Sequence, residues 1–234
     1  VTDTGTATTD SLTIISNGLN GTNALAARAI TSTGYETLTI NTNSSTLKGA
    51  QSTGAIIVTP DLGGSARLNI TGSNQLTVGV VTATTGTINA SGMTPASAAS
   101  RGLTMVPGAN TATTITGSGG IDTLFGDRVT ARNTSITGGA GNDTITSYGG
   151  NDTILGGVGE DQITGGAGND SIDGGAGNDA VVLLTGQLTV NDTISGGEGI
   201  DTFAYATYTE AAENVVAAQA RISNFEILEL GVAA

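Results

Sequence analysis

Along the second half of the chain an aliphatic side chain returns every nine residues, at Ile145, Ile154, Ile163, Ile172 and Val181. Each stands two places after an aspartate, Asp143, Asp152, Asp161, Asp170 or Asp179, and most residues opening each unit are glycine. A lone apolar position between polar neighbours predicts a short strand with one side chain turned inward. The first six residues of each unit predict a turn, because consecutive glycines accept positive φ without steric cost and let carbonyl oxygens converge. Two units then make one coil of about eighteen residues. Turns of the first, third and fifth units stack on one edge, and those of the second and fourth on the other.

The first half alternates instead. Apolar pairs at Leu38/Ile40, Ile56/Val58, Leu68/Ile70, Leu76/Val78 and Leu103/Met105 follow period two and predict short strands. Together with Ile88, Ile115 and Leu124 they recur at intervals of about eight to twelve residues, which suits a solenoid or a sandwich. Because Ile115 and Leu124 lead directly into the nine-residue register, one continuous rod is the favoured reading. Two short helices are expected beside it. Thr94-Pro95 through Gly102 carries a cap, a proline at the first helical position and a glycine stop, and Thr207 with Glu210 forms a capping box opening a helix to about Ala220. The predicted class is therefore all-β, an elongated β-solenoid or parallel β-roll with short capping helices.

The repeat weakens outward. Gly196 to Phe203 forms a full unit around Asp201, Asn191-Asp192-Thr193-Ile194 keeps only the second half of one, and Gly117 to Leu124 forms another around Asp122. The longer gap between Asp179 and Asp192 marks Leu183 to Gly186 as an insertion on one edge. Upstream, a variant unit contains Asp127, Arg128 and Arg132. These arginines either fill the space of a missing ion or are simply solvated.

Composition narrows the chemistry. Twenty acidic residues against seven basic ones give a net charge of −13, which argues against nucleic acid or an anionic membrane as partners. No apolar run, the longest being near Ala180 to Leu184, is long enough to span a bilayer, so no membrane insertion is expected. The absence of cysteine excludes a disulfide framework, so stability must come from packing or metal. Aromatics are only 3%, which makes the core a narrow aliphatic ladder. The chain begins at Val1 without a signal-peptide pattern, which fits a fragment or processed chain.

Between stacked turns the available donors are main-chain carbonyls and aspartate carboxylates. These hard oxygens suit calcium, which takes about six to eight of them, whereas zinc or copper would want the histidine or cysteine this chain lacks. Magnesium surrenders its water too reluctantly for a cage of protein oxygens. Several calcium ions are therefore the expected cofactor. At tenfold the dissociation constant each would add roughly 1.4 kcal/mol, so three to five sites would contribute about 4–7 kcal/mol, comparable to a domain's net stability. The roll should stay unfolded in calcium-poor cytoplasm and fold outside the cell.

The run from Gly138 to Val182 strongly resembles the RTX (repeats-in-toxin) family of secreted bacterial proteins, and Gly117 to Ala204 resembles it more loosely. That resemblance implies a β-roll that folds on calcium, with alternate turn carbonyls and the sixth-position aspartate as ligands. It puts Gly139, Gly141 and Asp143 in the first turn, Gly149 or Gly150 with Asp152 in the second, and Gly157, Gly159 and Asp161 in the third. Gly166, Gly168 and Asp170 follow, then Gly175, Gly177 and Asp179, and Gly197, Gly199 and Asp201. Asp122 and Asp192, from the weaker units, complete the expected metal carboxylates. Ser147-Tyr148 replaces the opening glycines of the second unit and puts the carbonyl geometry at Asp152 in question.

A longer self-similarity pairs Gly34 to Ile40 with Asn224 to Leu230, each an aromatic-Glu-x-Leu-x-aliphatic element. Such elements, with Ser/Thr-rich strands beside RTX runs, resemble the self-assembling surface-layer proteins of Gram-negative bacteria. The expected organisation is a strand-rich region at 1–116, the calcium-binding roll at 117–204, and a helix plus strand at 205–234 beginning a following module. Catalysis is not expected: no histidine or cysteine is present, the repeat assigns its carboxylates to metal, and Glu36 and Glu226 read as strand-end or packing carboxylates. The Asn-Asp-Thr and Asn-Asp-Ser sequons are by-products of the repeat. The expected role is structural, a segment of a secreted surface-layer protein on the cell exterior, exported by type I secretion. Its partners would be copies of itself in a two-dimensional lattice and a cell-surface polysaccharide. The alternative is an accessory module of a secreted enzyme or large adhesin.

Overall fold

The computed structural model describes residues 11–15, 29–33, 37–42, 55–61, 66–73, 76–78, 86–99, 101–105, 113–128, 131–184, 186–208 and 221–232. In chain order the strands are β1 (Ser11–Ile15), β2 (Ala29–Thr33), β3 (Thr37–Asn41), β4 (Ala55–Asp61), β5 (Ala66–Gly72), β6 (Leu76–Val78) and β7 (Gly86–Met93). Next come β8 (Arg101–Met105), β9 (Thr114–Thr116), β10 (Ile121–Phe125), β11 (Ser135–Ala140), β12 (Thr144–Thr146), β13 (Thr153–Val158) and β14 (Gln162–Thr164). The last are β15 (Ser171–Ala176), β16 (Ala180–Leu183), β17 (Thr193–Glu198), β18 (Thr202–Tyr208), β19 (Ile222–Ser223) and β20 (Ile227–Val232).

Odd strands form one ten-stranded sheet and even strands the other, each in simple sequence order. Every strand pairs in parallel with the strand two places along the chain, as β11 does with β13 and β12 with β14. The fold is thus an all-β parallel solenoid, with one odd and one even strand per coil.

One file of aliphatic side chains fills the space between the sheets. Ile136, Ile154, Ile172 and Ile194 stack from one side, and Leu124, Ile145, Ile163, Val181 and Phe203 from the other, all nearly inaccessible to solvent. Burying each is worth about 1.5–3 kcal/mol, so even a strand of three residues is held by the one inward position it offers. The alternating pairs of the first half behave likewise: Leu38, Ile40, Leu68, Ile70, Leu76, Val78, Leu103 and Met105 are buried. Ile56 and Val58 lie in β4. The solenoid, with all pairings parallel, replaces the sandwich alternative.

The extra length lies just beyond the expected Leu183 to Gly186, in the stretch leading to Asp192, because Leu183 still belongs to β16 and pairs with Tyr205. Ile172 pairs with Ile194 and Val181 with Phe203, and ladder bonds there span 22 residues where those between regular coils span 18. Leu188, 8% exposed, anchors the extra length beneath the coil.

No helix occurs among the described residues. Thr94 and Pro95 are irregular, Ala96 to Ala99 make bends and turns, and Arg101 and Gly102 already belong to β8. The local capping signals lose because the segment has no apolar helical face, while Leu103 and Met105 are drawn into register with Leu76 and Val78. Thr207 is likewise not a helix cap but lies within β18. The remainder of that expected helix, 209–220, and the element at Gly34 to Glu36 lie outside the described residues.

Candidate metal centres along both edges of the roll

Each turn stacks on the next at backbone distance. Gly157 and Gly159 adopt φ of 124° and 138°, and a Cβ on either would collide with the carbonyl oxygen of Gly139 or Gly141 in the preceding coil. No L-residue side chain fits at such a contact, quite apart from the strain of positive φ. All the other glycines assigned to metal share this left-handed region: Gly139, Gly141, Gly150, Gly166, Gly168, Gly175, Gly177, Gly197 and Gly199. In the second unit Tyr148 takes the same conformation at φ 72°, in the place of a glycine.

The aspartates form two ladders. On one edge the main-chain N–H of each aspartate donates to Oδ1 of the next: Asp122 to Asp143, Asp143 to Asp161 and Asp161 to Asp179 at 2.8 Å, and Asp179 to Asp201 at 2.7 Å. On the other edge Thr134 donates to Asp152 at 2.7 Å, Asp152 to Asp170 at 2.9 Å and Asp170 to Asp192 at 2.7 Å. All eight of these carboxylates are buried, at 3% exposure or less.

One oxygen of each acid is thereby satisfied; the second decides the chemistry. Oδ2 of Asp143, Asp152, Asp161, Asp170, Asp179 and Asp201 is buried and has no hydrogen-bond partner. Leaving a charged oxygen so is costly unless a cation meets it. On the first edge each such oxygen faces a carbonyl of the following coil. A Cβ on Gly138, Gly156 or Gly174 would lie 2.5–2.6 Å from Oδ2 of Asp143, Asp161 or Asp179, and would also collide with the carbonyl oxygen of Gly156, Gly174 or Gly196. The absent side chain leaves a cradle lined by carboxylate and carbonyl oxygen, the donor set calcium favours. Among the described residues no three His, Cys, Asp or Glu side chains converge. The cradles depend on main-chain oxygens instead. A calcium ion there would be held by the aspartate Oδ2 and the opening-glycine carbonyl, and would supply the positive charge these acids lack.

Without that charge the acids resist ionisation. Burial, reinforced by repulsion from Asp122 and Asp161, pushes Asp143 up to about 8, and burial with repulsion from Asp152 and Asp192 pushes Asp170 to about 7. Burial raises Asp122, Asp152 and Asp179 to about 6 and Asp161 above the usual carboxylate range. In each case a backbone N–H opposes the rise but does not cancel it.

Two of the expected carboxylates differ from the other six. Oδ2 of Asp122 accepts the Ser118 N–H at 2.5 Å, and its Oδ1 accepts the Ser118 hydroxyl at 2.8 Å and the Leu103 N–H at 2.5 Å. Oδ2 of Asp192 accepts the Thr189 N–H from the insertion at 2.6 Å. Protein donors thus occupy the oxygens that the other six leave open. At Asp152 the obstacle is Ser147, fully buried, whose hydroxyl lies beside that carboxylate and donates to the Gly165 carbonyl. Its side chain enters the space that an opening glycine leaves empty. Arg132 pairs with buried Asp127 at 3.8 Å, supplying a positive charge on the edge where Thr134 stands in place of an aspartate. Arg128 is exposed, with its guanidinium 5.9 Å from the centre of the Tyr148 ring.

Sequence reasoning missed three parts of this arrangement. The opening glycines Gly156, Gly174 and Gly196 contribute the facing carbonyls, which only the doubled glycine of each unit hints at. The fifth-position side chains form a second ladder running the opposite way: Asn142 accepts from Glu160 N–H at 3.0 Å, Asn151 from Asn169 at 2.9 Å and Asn178 from Ile200 at 2.9 Å. The sequon asparagines Asn142 and Asn151 therefore have a structural role. Finally, Glu226 accepts the Asp201 N–H at 2.8 Å and extends the first ladder beyond the repeats.

The family model of the RTX calcium-binding nonapeptide repeat matches the chain in four copies, at residues 107–128, 130–163, 155–186 and 191–203. The matched residues include all eight ladder aspartates, so both ladders lie within the stretch that is similar to this repeat. Neither the curated proteins nor the solved structures contain a significant match to it.

Proposed function

We propose that this chain is a structural calcium-binding segment of a secreted bacterial cell-surface protein, a surface-layer protein whose calcium-dependent folding and assembly build the cell coat. The observation that carries the calcium part is the set of six buried aspartate oxygens without a partner, four of them on one edge. The surface-layer part is supported by Thr/Ser/Asn-rich strands that continue the same two sheets upstream of the repeats. In this reading the chain performs no catalysis. It leaves the cell unfolded by type I secretion, and extracellular calcium neutralises the acids and locks the coils. Copies then associate in a two-dimensional lattice, with surface polysaccharide as a further partner. The strand-rich region, the roll and the C-terminal module act as one rod.

Far-UV circular dichroism tests the first step. A β-signal that appears with millimolar calcium and collapses with EGTA is expected, and a signal indifferent to chelation would defeat the proposal. Electron microscopy of the purified chain in calcium tests the second. Ordered sheets support the coat, whereas persistent monomers point to an accessory module of a secreted enzyme or an adhesin.

A further inference from the structure

The cradle beneath Asp201 is closed by residues that belong to no repeat. A Cβ on Gly196 would lie 2.6 Å from Asp201 Oδ2 and would collide with the Asn224 carbonyl oxygen. Gly138, Gly156 and Gly174 stand in the same relation to their own aspartates and to the opening glycine of the next coil. Asn224 thus takes the place of that glycine, and it adopts φ 59°, a left-handed conformation that asparagine tolerates better than most residues.

Glu226 takes the place of the next aspartate. Its Oε2 accepts the Asp201 N–H at 2.8 Å. The Ile227 N–H bonds the Asp201 carbonyl at 3.0 Å, as Thr202 bonds Asp179 and Ala180 bonds Asp161 at 2.8 Å. Asp201 itself is 0% exposed, and its Oδ2 has no partner. The family match ends at residue 203, before any of these replacement residues.

We propose that the Asn224 carbonyl and the Glu226 carboxylate complete the calcium site of Asp201 Oδ2 and so fasten the last coil to the roll. The proposal rests on the calcium reading above and adds ligands from outside the repeats. Two carboxylates and a carbonyl are hard oxygen donors, and water can complete the six to eight contacts calcium takes. On one of its two sides the last coil is thinly held, although β20 pairs with β18 from Thr202↔Ile227 to Tyr208↔Val232. β19 pairs with β17 at only Ile194↔Ile222 and Ser195↔Ser223. A cavity of about 200 Å³ lies among Phe203, Tyr205, Phe225 and Leu228. Leu228 and Leu230 are 54% and 48% exposed, so apolar packing at this end rests mainly on Phe203 and Phe225, whose ring centres lie 5.5 Å apart.

Calcium titration calorimetry and hydrogen-exchange mass spectrometry on the full chain test this, with calcium chloride as the only added ligand. Glu226→Gln keeps an acceptor for the Asp201 N–H and removes only the charge; Asp201→Asn removes the buried oxygen anion. Each variant should bind one ion fewer. Amides of 222–232 should exchange at least tenfold faster in calcium, while those of 138–180 stay protected. Unchanged stoichiometry and protection in both variants would overturn the site, and a loss confined to Asp201→Asn would overturn the assignment of Glu226. Absence of any calcium uptake by the unaltered chain would instead defeat the calcium reading itself.

Discussion

The main-chain N–H of Asp161 donates to Oδ1 of Asp179 at 2.8 Å, while Oδ2 of Asp179 stays buried with no partner. A single carboxylate therefore does two separable things. One oxygen ties a coil to its predecessor, and the other awaits a cation.

Asp161→Asn separates these roles, because the amide keeps an acceptor for the Asp143 N–H and discards the charge. Its calcium-free form should unfold at equal or higher urea than the unaltered chain. Its gain on adding calcium should shrink by roughly 1.4 kcal/mol at tenfold the dissociation constant. Asp161→Ala should also lose about 1–3 kcal/mol without calcium, since it orphans the buried N–H. Urea melts with and without calcium read both effects, and an Ala variant as stable as Asn would contradict this division. Asp201→Asn, nearer the end of the stack, should damage calcium-linked folding less than Asp161→Asn.

Acid should stabilise the calcium-free roll. Asp143 is raised from 3.8 to about 8, and Asp170 to about 7, so the folded state holds protons that the unfolded chain releases. Stability from these protons is fully present below the unfolded value of 3.8 and is lost as pH rises through about 6 to 8. Urea midpoints in metal-free buffer should fall between pH 4 and pH 8. Calcium affinity should move the opposite way, because ion and proton compete for the same oxygens. A calcium-free midpoint that climbs with pH would refute the account.

Ser147→Gly should open the cradle beside Asp152 by removing the hydroxyl that donates to Gly165. Calorimetry should count one more ion, or a site at least tenfold tighter, and a count and affinity equal to the parent's would show that Ser147 is no obstacle.

Two glycine substitutions should differ sharply although both glycines have positive φ. Gly186→Ala meets nothing within 4 Å and should cost only the left-handed penalty of about 1–2 kcal/mol. Gly157→Ala drives a methyl group into the Gly139 carbonyl, which is main chain and has no rotamer to escape by. That variant should show no cooperative melt even in saturating calcium; similar melting of the two would contradict backbone-distance stacking.

The nine-residue register was enough to place Asp143, Asp161 and Asp179 on one edge and Asp152 and Asp170 on the other, because a fixed spacing of aspartate and aliphatic allows only one stacking. The upstream pairs were legible too, since alternation survives irregular coil lengths. Carbonyl donors such as Gly174 were not, because a main-chain oxygen leaves no mark in residue identity. The place of Asn224 and Glu226 in the ladder was not legible because its last bond spans 25 residues, a step unlike those before it. At Thr94 to Gly102 local helix signals misled because cross-coil pairing, a non-local term, outweighs a cap.

The opposed aspartate and asparagine ladders also determine how the rod would bear load. Their bonds run between coils, so tension along the axis pulls on them in series, with the weakest coil first. Each released coil of eighteen residues lengthens the chain by about 60 Å. A stretched solenoid would give way in discrete steps, absorbing work at each, and would recover them one coil at a time when the strain is removed.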